Sequence, residues 1–121
     1  MKSNYQLAEM ETQFANLIWE NEPIKSPELV KLAEQELNWK KSTTYTILKR
    51  FCDRGIFKNE NAIVTSLIKK EEFYAKQSKD YIEETFEGSL PKFFSAFVGN
   101  NKLNKKQAEE LKRLIDEYGE D

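Results

Sequence analysis

Hydrophobic side chains recur at intervals of three and four residues along most of the chain, the spacing that gives a helix one apolar face. Leu7, Met10, Phe14, Leu17 and Ile18 set this pattern for a first helix over about residues 8–21. The pattern predicts five more helices, at about 26–36, at about 41–54, from near 73 to near 88, from about 89 to 98 and from about 104 to 118. Two short apolar runs, 56–57 and 62–67, flank a polar turn at 58–61 and predict a β-hairpin.

Several of these helices carry boundary signals. Ser26 is followed by Pro27 and Glu28, so we expect Ser26 to be an N-cap with proline at the first helical position. Gly55 suits the C-terminal end of the third helix. The segment 104–107, Asn-Lys-Lys-Gln, has the form of a capping box for the last helix.

Three helices followed by a hairpin within about 65 residues is the element order of a winged helix-turn-helix. We therefore predict a mainly α protein with two domains. Residues 1–68 form a winged-helix DNA-binding domain, and residues 69–121 form a three-helix dimerisation region.

The second half is unusually rich in large apolar side chains for its size. A unit of about 50 residues cannot easily bury so many rings alone, so we expect a second copy of the chain to complete its core. The alternative is a monomer whose second half packs on the winged helix. The predicted dimer interface consists of Phe73, Tyr81, Phe86, Phe93, Phe94, Phe97, Leu111, Leu114, Ile115 and Tyr118.

Composition narrows the class of protein. Hydrophobic residues make up 39% and charged residues 33%, which is typical of a globular chain. No apolar run approaches the roughly 20 residues that cross a bilayer, and the N-terminus lacks the apolar stretch of a signal peptide. We therefore expect a cytoplasmic protein without membrane insertion.

Residue usage also argues against an enzyme. The chain has no histidine and no glycine-rich phosphate-binding motif, so we expect no catalytic residues, no cofactor and no metal. Cys52 is the single cysteine and lies on the predicted core face of the third helix, which favours a buried structural thiol.

The predicted third helix has a charge unlike that of the whole chain. Segment 38–58 contains six positive residues and one negative residue, whereas the chain has a net charge of −2. Such a segment indicates a polyanion-binding surface. The alternative is an ordinary surface helix whose lysines face water. We predict that bases are read by Ser42, Thr43, Tyr45, Thr46 and Arg50, and that phosphates are contacted by Lys40, Lys41, Lys49 and Lys58.

The pattern Trp39-x-x-x-Thr43-x-x-Thr46-x-Leu48-x-Arg50-Phe51-x-x-x-Gly55 resembles the recognition-helix signature of penicillinase repressors of the BlaI/MecI type. The resemblance spans nearly the full chain. It includes Leu7–Glu11 at the start, Leu17–Glu20, Tyr81–Phe97 with its Phe86-Glu-Gly-Ser-Leu90 segment, and Leu103–Leu111.

The resemblance implies a dimeric repressor that binds double-stranded operators of dyad symmetry with TACA/TGTA half-sites and silences β-lactamase or related genes. It also implies release by a sensor-activated protease that cuts between an Asn and a Phe, for which the equivalent candidate cleavage site is Ala96–Phe97. The chain departs from the family pattern at Lys40, where Ser is usual, at Lys41, and at the non-basic wing tip 59–61. Copper-responsive CopY-type members use a C-terminal cysteine cluster, whereas this chain has only Cys52.

Three functions follow from these patterns. The leading hypothesis is a homodimeric repressor that reads its operator with helix 41–54. The second is a winged-helix adaptor or antirepressor that binds protein without DNA, since the fold alone does not fix function. The third is a ligand-sensing repressor with a pocket among the rings of residues 73–98.

Overall fold

A computed structural model describes residues 7–120 of the chain. The described chain is mainly helical with one small antiparallel sheet, which confirms the predicted fold class. In chain order its elements are α1 (Glu9–Asn21), β1 (Ile24–Lys25), α2 (Ser26–Leu37), α3 (Lys41–Asp53), β2 (Phe57–Glu60), β3 (Ile63–Ser66), α4 (Lys70–Phe86), α5 (Leu90–Val98) and α6 (Lys105–Tyr118).

The chain divides into two compact units, the first ending at Asp80 and the second beginning at Tyr81. This division lies within α4 and further along the chain than the boundary expected between residues 68 and 69. The reason is visible in the first unit, where the N-terminal part of α4 supplies two aromatic rings to the core. Phe73 and Tyr74 both contact the indole of Trp19, at ring-centroid distances of 5.4 and 6.1 Å.

The first unit has a closed apolar core. Phe14 is fully buried at its centre, 4.9 Å from the ring of Trp39 and 5.6 Å from that of Phe51. These contacts join α1 to α3 and to the segment that precedes α3. The inward residues of α2 and α3 follow the predicted helical spacing, because Leu29, Ala33, Leu48 and Phe51 are buried. The apolar side of α3 therefore packs into the core of the first unit.

Phe73 requires a correction to the predicted dimer interface. Its side chain is fully buried in the core of the first unit, where it also packs edge-on against Tyr74 at 5.7 Å. A ring with no exposed surface cannot contact a second copy, so Phe73 is removed from the interface. The sequence pattern assigned Phe73 to the second half because it is the first apolar residue of the fourth predicted helix.

Gly55 ends α3 as predicted. It adopts a left-handed conformation with φ +76°. The N–H of Ile56 donates to the carbonyl of Phe51, and the N–H of Gly55 donates to that of Cys52, both at 3.0 Å. This pair of hydrogen bonds is the Schellman motif, which satisfies carbonyls left free at a helix end.

Ser26 was predicted to be the N-cap of α2, and this prediction is wrong. Ser26 is the first residue of the helix, Lys25 occupies the N-cap, and no side chain caps the end. The Ser26 hydroxyl instead accepts a hydrogen bond from the phenol of Tyr45 at 3.4 Å. Pro27 lies in the first turn, as expected.

The wing contains a strand that the sequence pattern missed. β3 is the central strand of the sheet, flanked by β1 and β2, and Lys25 of β1 pairs with Ile63. The turn of the hairpin is Asn61–Ala62, both with positive φ, so residues predicted as turn belong to β2. The Glu22 carboxylate secures the sheet because it accepts hydrogen bonds from the N–H and hydroxyl of Ser66, both at 2.8 Å.

The second unit has helices but no closed core in the single chain. None of residues 81–120 is buried. Phe93 contacts the rings of Tyr81, Phe86 and Phe97, but all four rings keep solvent-exposed surface. Ser89 is the N-cap of α5, and its hydroxyl accepts a hydrogen bond from the N–H of Lys92. Asn104 begins α6 as predicted, and its side chain accepts a hydrogen bond from the N–H of Gln107, while the Gln107 side chain accepts from the side-chain amide of Asn104.

Candidate nucleic-acid interface

Helix α3 has one buried side and one exposed side. Thr44, Leu48 and Phe51 are buried, while Ser42, Thr43, Thr46, Lys49 and Arg50 are exposed. Four of the five predicted base-reading residues therefore share an exposed surface. We call Ser42, Thr43, Thr46, Lys49 and Arg50 the outer face of α3.

The N-terminal end of α3 is unusually positive. Lys40 is the N-cap residue, no side chain caps the helix, and the first turn contains no acidic residue. The first N–H groups of a helix have no partner within the helix and carry the positive end of its dipole. Lys40 and Lys41 add two positive charges at this end, and both are exposed. The same end would attract a phosphate group.

The threonine hydroxyls of α3 differ in orientation. Thr44 is buried, and its hydroxyl donates to the carbonyl of Lys40 at 3.1 Å. Thr46 is exposed, and its hydroxyl donates to the carbonyl of Ser42 at 2.8 Å. Because a hydroxyl has one hydrogen and two lone pairs, Thr46 retains acceptor capacity on the outer face. It can accept a hydrogen bond from a base amino group, and threonine can also contact a thymine methyl group.

Tyr45 differs from the other predicted base-reading residues. Its ring is half-buried and packs against the core, and its hydroxyl donates to Ser26 in α2. The structure therefore does not group Tyr45 with the outer face.

The positive residues of this region are not equally available. Among residues 7–120, Lys40, Lys41, Lys49 and Arg50 form no ion pair. Lys58, on β2, lies 3.7 Å from the Glu60 carboxylate. Both side chains are largely exposed, so the pair contributes little to stability, but it opposes a phosphate contact by Lys58.

Glu60 is a functional candidate that sequence reasoning missed. Alternate residues of a strand point to the same side, so the i, i+2 spacing of Lys58 and Glu60 was the available signal once β2 was known to include both. The signal was hidden because the segment was assigned to a turn.

Cys52 is half-buried rather than fully buried. Burial raises the pKa of its thiol, and the nearby carboxylate of Asp53 raises it further, while a backbone hydrogen bond to Asn59 acts in the opposite direction. A raised pKa keeps the thiol protonated and makes it a poor nucleophile. The environment is that of a structural side chain.

The second unit presents a different surface, lined by the apolar sides of α5 and α6. An open groove of about 640 Å³ lies between these helices, and its lining is almost wholly apolar. Phe93, Phe94, Leu111 and Ile115 from the predicted interface line it. Leu90, which is 63% exposed, also lines it and was missed, although it lies one helical turn before Phe94.

Several residues of the predicted interface are strongly exposed, including Ile115 of the groove. Phe97, Ile115 and Tyr118 are 68%, 67% and 77% exposed in the single chain. Ala96 and Phe97, the candidate cleavage site, are both exposed on α5. Among residues 7–120, no helix combines the length and apolar composition required to cross a membrane.

A three-helix unit with a wing and a basic outward-facing helix defines the class of winged helix-turn-helix proteins. A family model described as "Penicillinase repressor" matches residues 7–117. The chain therefore belongs to the penicillinase repressor family, a family of regulatory repressors rather than enzymes.

Known relatives extend over most of the chain at low identity. The "Methicillin resistance regulatory protein MecI" of Staphylococcus aureus (strain Mu50 / ATCC 700699) is 24% identical over 115 residues, covering 92% of this chain and 94% of the relative. The "Penicillinase repressor" of Bacillus licheniformis is 21% identical over 122 residues, covering 98% and 95%. The "Penicillinase repressor" of Staphylococcus aureus is 24% identical over 106 residues, covering 84% of each.

Proposed function

We propose that the protein is a homodimeric, DNA-binding transcriptional repressor that reads a dyad-symmetric operator with α3. The observation that carries this proposal is the outer face of α3, where hydroxyls lie beside cations without acidic partners. Family membership and two relatives named "Penicillinase repressor" support the same function. As a protein acting on DNA, it would work in the cytoplasm of a bacterial cell.

The residues of α3 have distinct proposed roles. Arg50 can form two parallel hydrogen bonds with a guanine, and Ser42, Thr43 and Thr46 can meet base edges. Lys40, Lys41 and Lys49 provide phosphate contacts that position the helix without selecting a sequence. The paired Lys58 is the weakest of the four proposed phosphate contacts.

The proposed dimer uses the second unit. Its exposed apolar residues form an extended surface, whereas soluble monomers usually expose apolar side chains singly. A second copy of the chain would cover this surface. A two-fold dimer would present two α3 helices to half-sites about 10 bp apart, or a multiple of that spacing. Repression would follow because the bound dimer covers a promoter and excludes polymerase. Relief by a sensor-activated protease at Ala96–Phe97 stays a prediction.

Fluorescence anisotropy tests the assignment of α3. The probes are a duplex selected by the wild-type protein from a random-sequence library and a scrambled duplex of equal composition. We expect Arg50→Ala to lose about 1–3 kcal/mol on the selected duplex and less on the scrambled one. Thr46→Ala should likewise relax sequence choice.

Lys49→Ala should weaken binding to both duplexes and reduce the salt slope by about 1. Lys31 is an exposed lysine on α2, so Lys31→Ala removes the same charge elsewhere. This control should change neither the affinity for the duplexes nor the salt slope. Equal loss on both duplexes for Arg50→Ala would reassign Arg50 to phosphate.

The second candidate function is an adaptor or antirepressor without DNA binding. The Lys58–Glu60 pair favours it, because a wing that neutralises its own lysine is poorly suited to phosphate. Absence of any salt-dependent shift by the wild-type protein on DNA at low salt would support the adaptor and refute the repressor.

A further inference from the structure

Ser26 is a junction between three parts of the first unit. It begins α2, and its side chain is buried, with only 5% of its surface exposed. Its N–H donates to the carbonyl of Ala62 in the wing turn at 2.8 Å. Its hydroxyl accepts from the phenol of Tyr45 in α3 at 3.4 Å. One residue therefore links the recognition helix to the wing.

The Ala62 end of this linkage is an unusual piece of backbone. Asn61 and Ala62 have φ values of +53° and +61°, a left-handed conformation that alanine rarely adopts. Two such residues form the two-residue turn that suits a tight hairpin. The hydrogen bond from Ser26 holds the carbonyl of the second residue, so it fixes the turn relative to α2.

The Tyr45 end is held by packing as well as by the hydrogen bond. The ring is half-buried against the core, unlike the exposed neighbours Thr43 and Thr46. A phenol has a single hydrogen to donate, and here Ser26 receives it. To donate that hydrogen to a base edge, Tyr45 would have to leave the core. The buried Ser26 hydroxyl would then lose the hydrogen bond that it accepts.

We propose that Tyr45 is a positioning residue and not a base-reading residue: through Ser26 it fixes the orientation of α3 relative to the wing turn. This inference rests on the proposed function, because orientation matters only if α3 enters a groove. Hydrogen bonds to bases require close placement, so a small rotation of α3 displaces all contacts of the outer face together.

A double-mutant cycle on DNA tests the proposal. Tyr45→Phe removes the donor and keeps the ring, Ser26→Ala removes the acceptor, and the third variant carries both changes. The probes are the duplex selected by the wild-type protein and its scrambled control. We expect each single variant to lose about fivefold in affinity for the selected duplex, and the double variant to lose no more than either.

A repeated selection separates positioning from base reading. Selection from the random library with Tyr45→Phe should return the same preferred sequence as the wild type. A changed preference at one base pair would overturn the proposal, as would losses that multiply in the double variant. A role confined to stability would lower Tm without this shared, non-additive loss of affinity.

A measurement without DNA tests the linkage itself. Amide hydrogen exchange at Ser26 reports the hydrogen bond to Ala62. We expect Tyr45→Phe to accelerate exchange at Ser26 about fivefold. Thr44→Val is the matched control, because it removes another hydroxyl of α3, one that donates to the carbonyl of Lys40 at the start of the same helix. Unchanged exchange at Ser26 in Tyr45→Phe, or equal acceleration in Thr44→Val, would overturn the linkage.

The experiments on DNA and the exchange measurement fail in different ways. If the wild-type protein selects no duplex, the proposed function fails, and the exchange rates still decide whether Tyr45 and Ser26 hold the wing turn. If the wild type selects a duplex and Tyr45→Phe shifts its preference, the proposed function stands and only the positioning role is lost.

Discussion

The two units of this chain use aromatic side chains in opposite ways. Among residues 7–120, all thirteen buried hydrophobic residues lie in the first unit, from Phe14 to Phe73, and form one core within a single chain. The second unit has no buried residue among positions 81–120, and its rings touch one another while staying open to solvent. The first unit therefore has a closed apolar core, whereas the apolar side chains of the second unit remain accessible to solvent in the single chain.

The difference shows that the number of apolar residues in a unit does not by itself determine whether they are buried. In the first unit, helices, a three-stranded sheet and the start of α4 surround Phe14 and Trp19 from several directions. In the second unit, α5 and α6 leave an apolar groove between them. We infer that the first unit is stable by itself and that the stability of the second depends on protein concentration.

The largest expected effect is on the closed core. Phe14→Ala should lower the free energy of unfolding by about 3–5 kcal/mol, because it leaves a cavity among Trp39 and Phe51. Chemical denaturation monitored by far-ultraviolet circular dichroism, which reports the helices of both units, measures this loss, which should be independent of protein concentration. Phe97→Ala, at a ring that is 68% exposed, is the comparison variant. Its effect should vary with concentration, and equal, concentration-independent losses would erase the contrast between the units.

The next effect concerns the open surface of the second unit. Phe97→Asp should convert the dimer to a monomer and reduce affinity for the selected duplex by about 100-fold, since two linked helices bind far more tightly than one. Sedimentation equilibrium and anisotropy measure the two changes. Ser95→Asp is the matched control, because it places the same charge at an exposed position of α5 without removing an apolar side chain. A Phe97→Asp protein that stays dimeric would refute this interface.

A smaller effect is expected at the wing of the first unit. Glu60→Gln should raise affinity for scrambled DNA about twofold at low salt, because it frees Lys58 for phosphate. Anisotropy across a salt series measures the change. Glu34→Gln, an exposed carboxylate on α2, changes net charge equally and should have less effect. Equal gains would indicate a general charge effect and not the release of Lys58.

The smallest effect is a pH dependence confined to the first unit. Burial raises the pKa of the Cys52 thiol, so the folded state favours the protonated form. Its contribution to stability is present below the ordinary pKa of 9.0 and is lost as pH rises through the folded value. Denaturation at pH 7 and pH 10 should show a smaller fall in stability for Cys52→Ala than for the wild type. An identical fall in both proteins would contradict this.

Helical periodicity predicted the six helices well, because their apolar faces repeat over several turns. Gly55 and Asn104 marked helix ends through chemistry confined to neighbouring residues. Strand β1 was missed because its two residues pair only with the distant β3. The hairpin turn was misplaced because polar Lys58, Asn59 and Glu60 resemble a loop, although they lie on an exposed strand.

Residues of the candidate site also differ in how far local sequence spacing predicts their surroundings. The exposure of Thr46 and Arg50 followed from helix geometry alone, so the sequence pattern found them. The sequence pattern misplaced Phe73 and gave no sign that Tyr45 is half-buried, because their neighbours come from elements far away in the chain, Trp19 for Phe73 and Ser26 for Tyr45. Such contacts have no signature in local spacing.

The stoichiometry of the complex with DNA tests the proposed dimeric repressor most directly. Sedimentation equilibrium of the wild-type protein with the selected duplex, in dilute buffer, measures how many chains bind each duplex. We predict two chains per duplex, and a free protein that is already a dimer. One chain per duplex, or a monomeric protein that ignores duplex DNA, would contradict it.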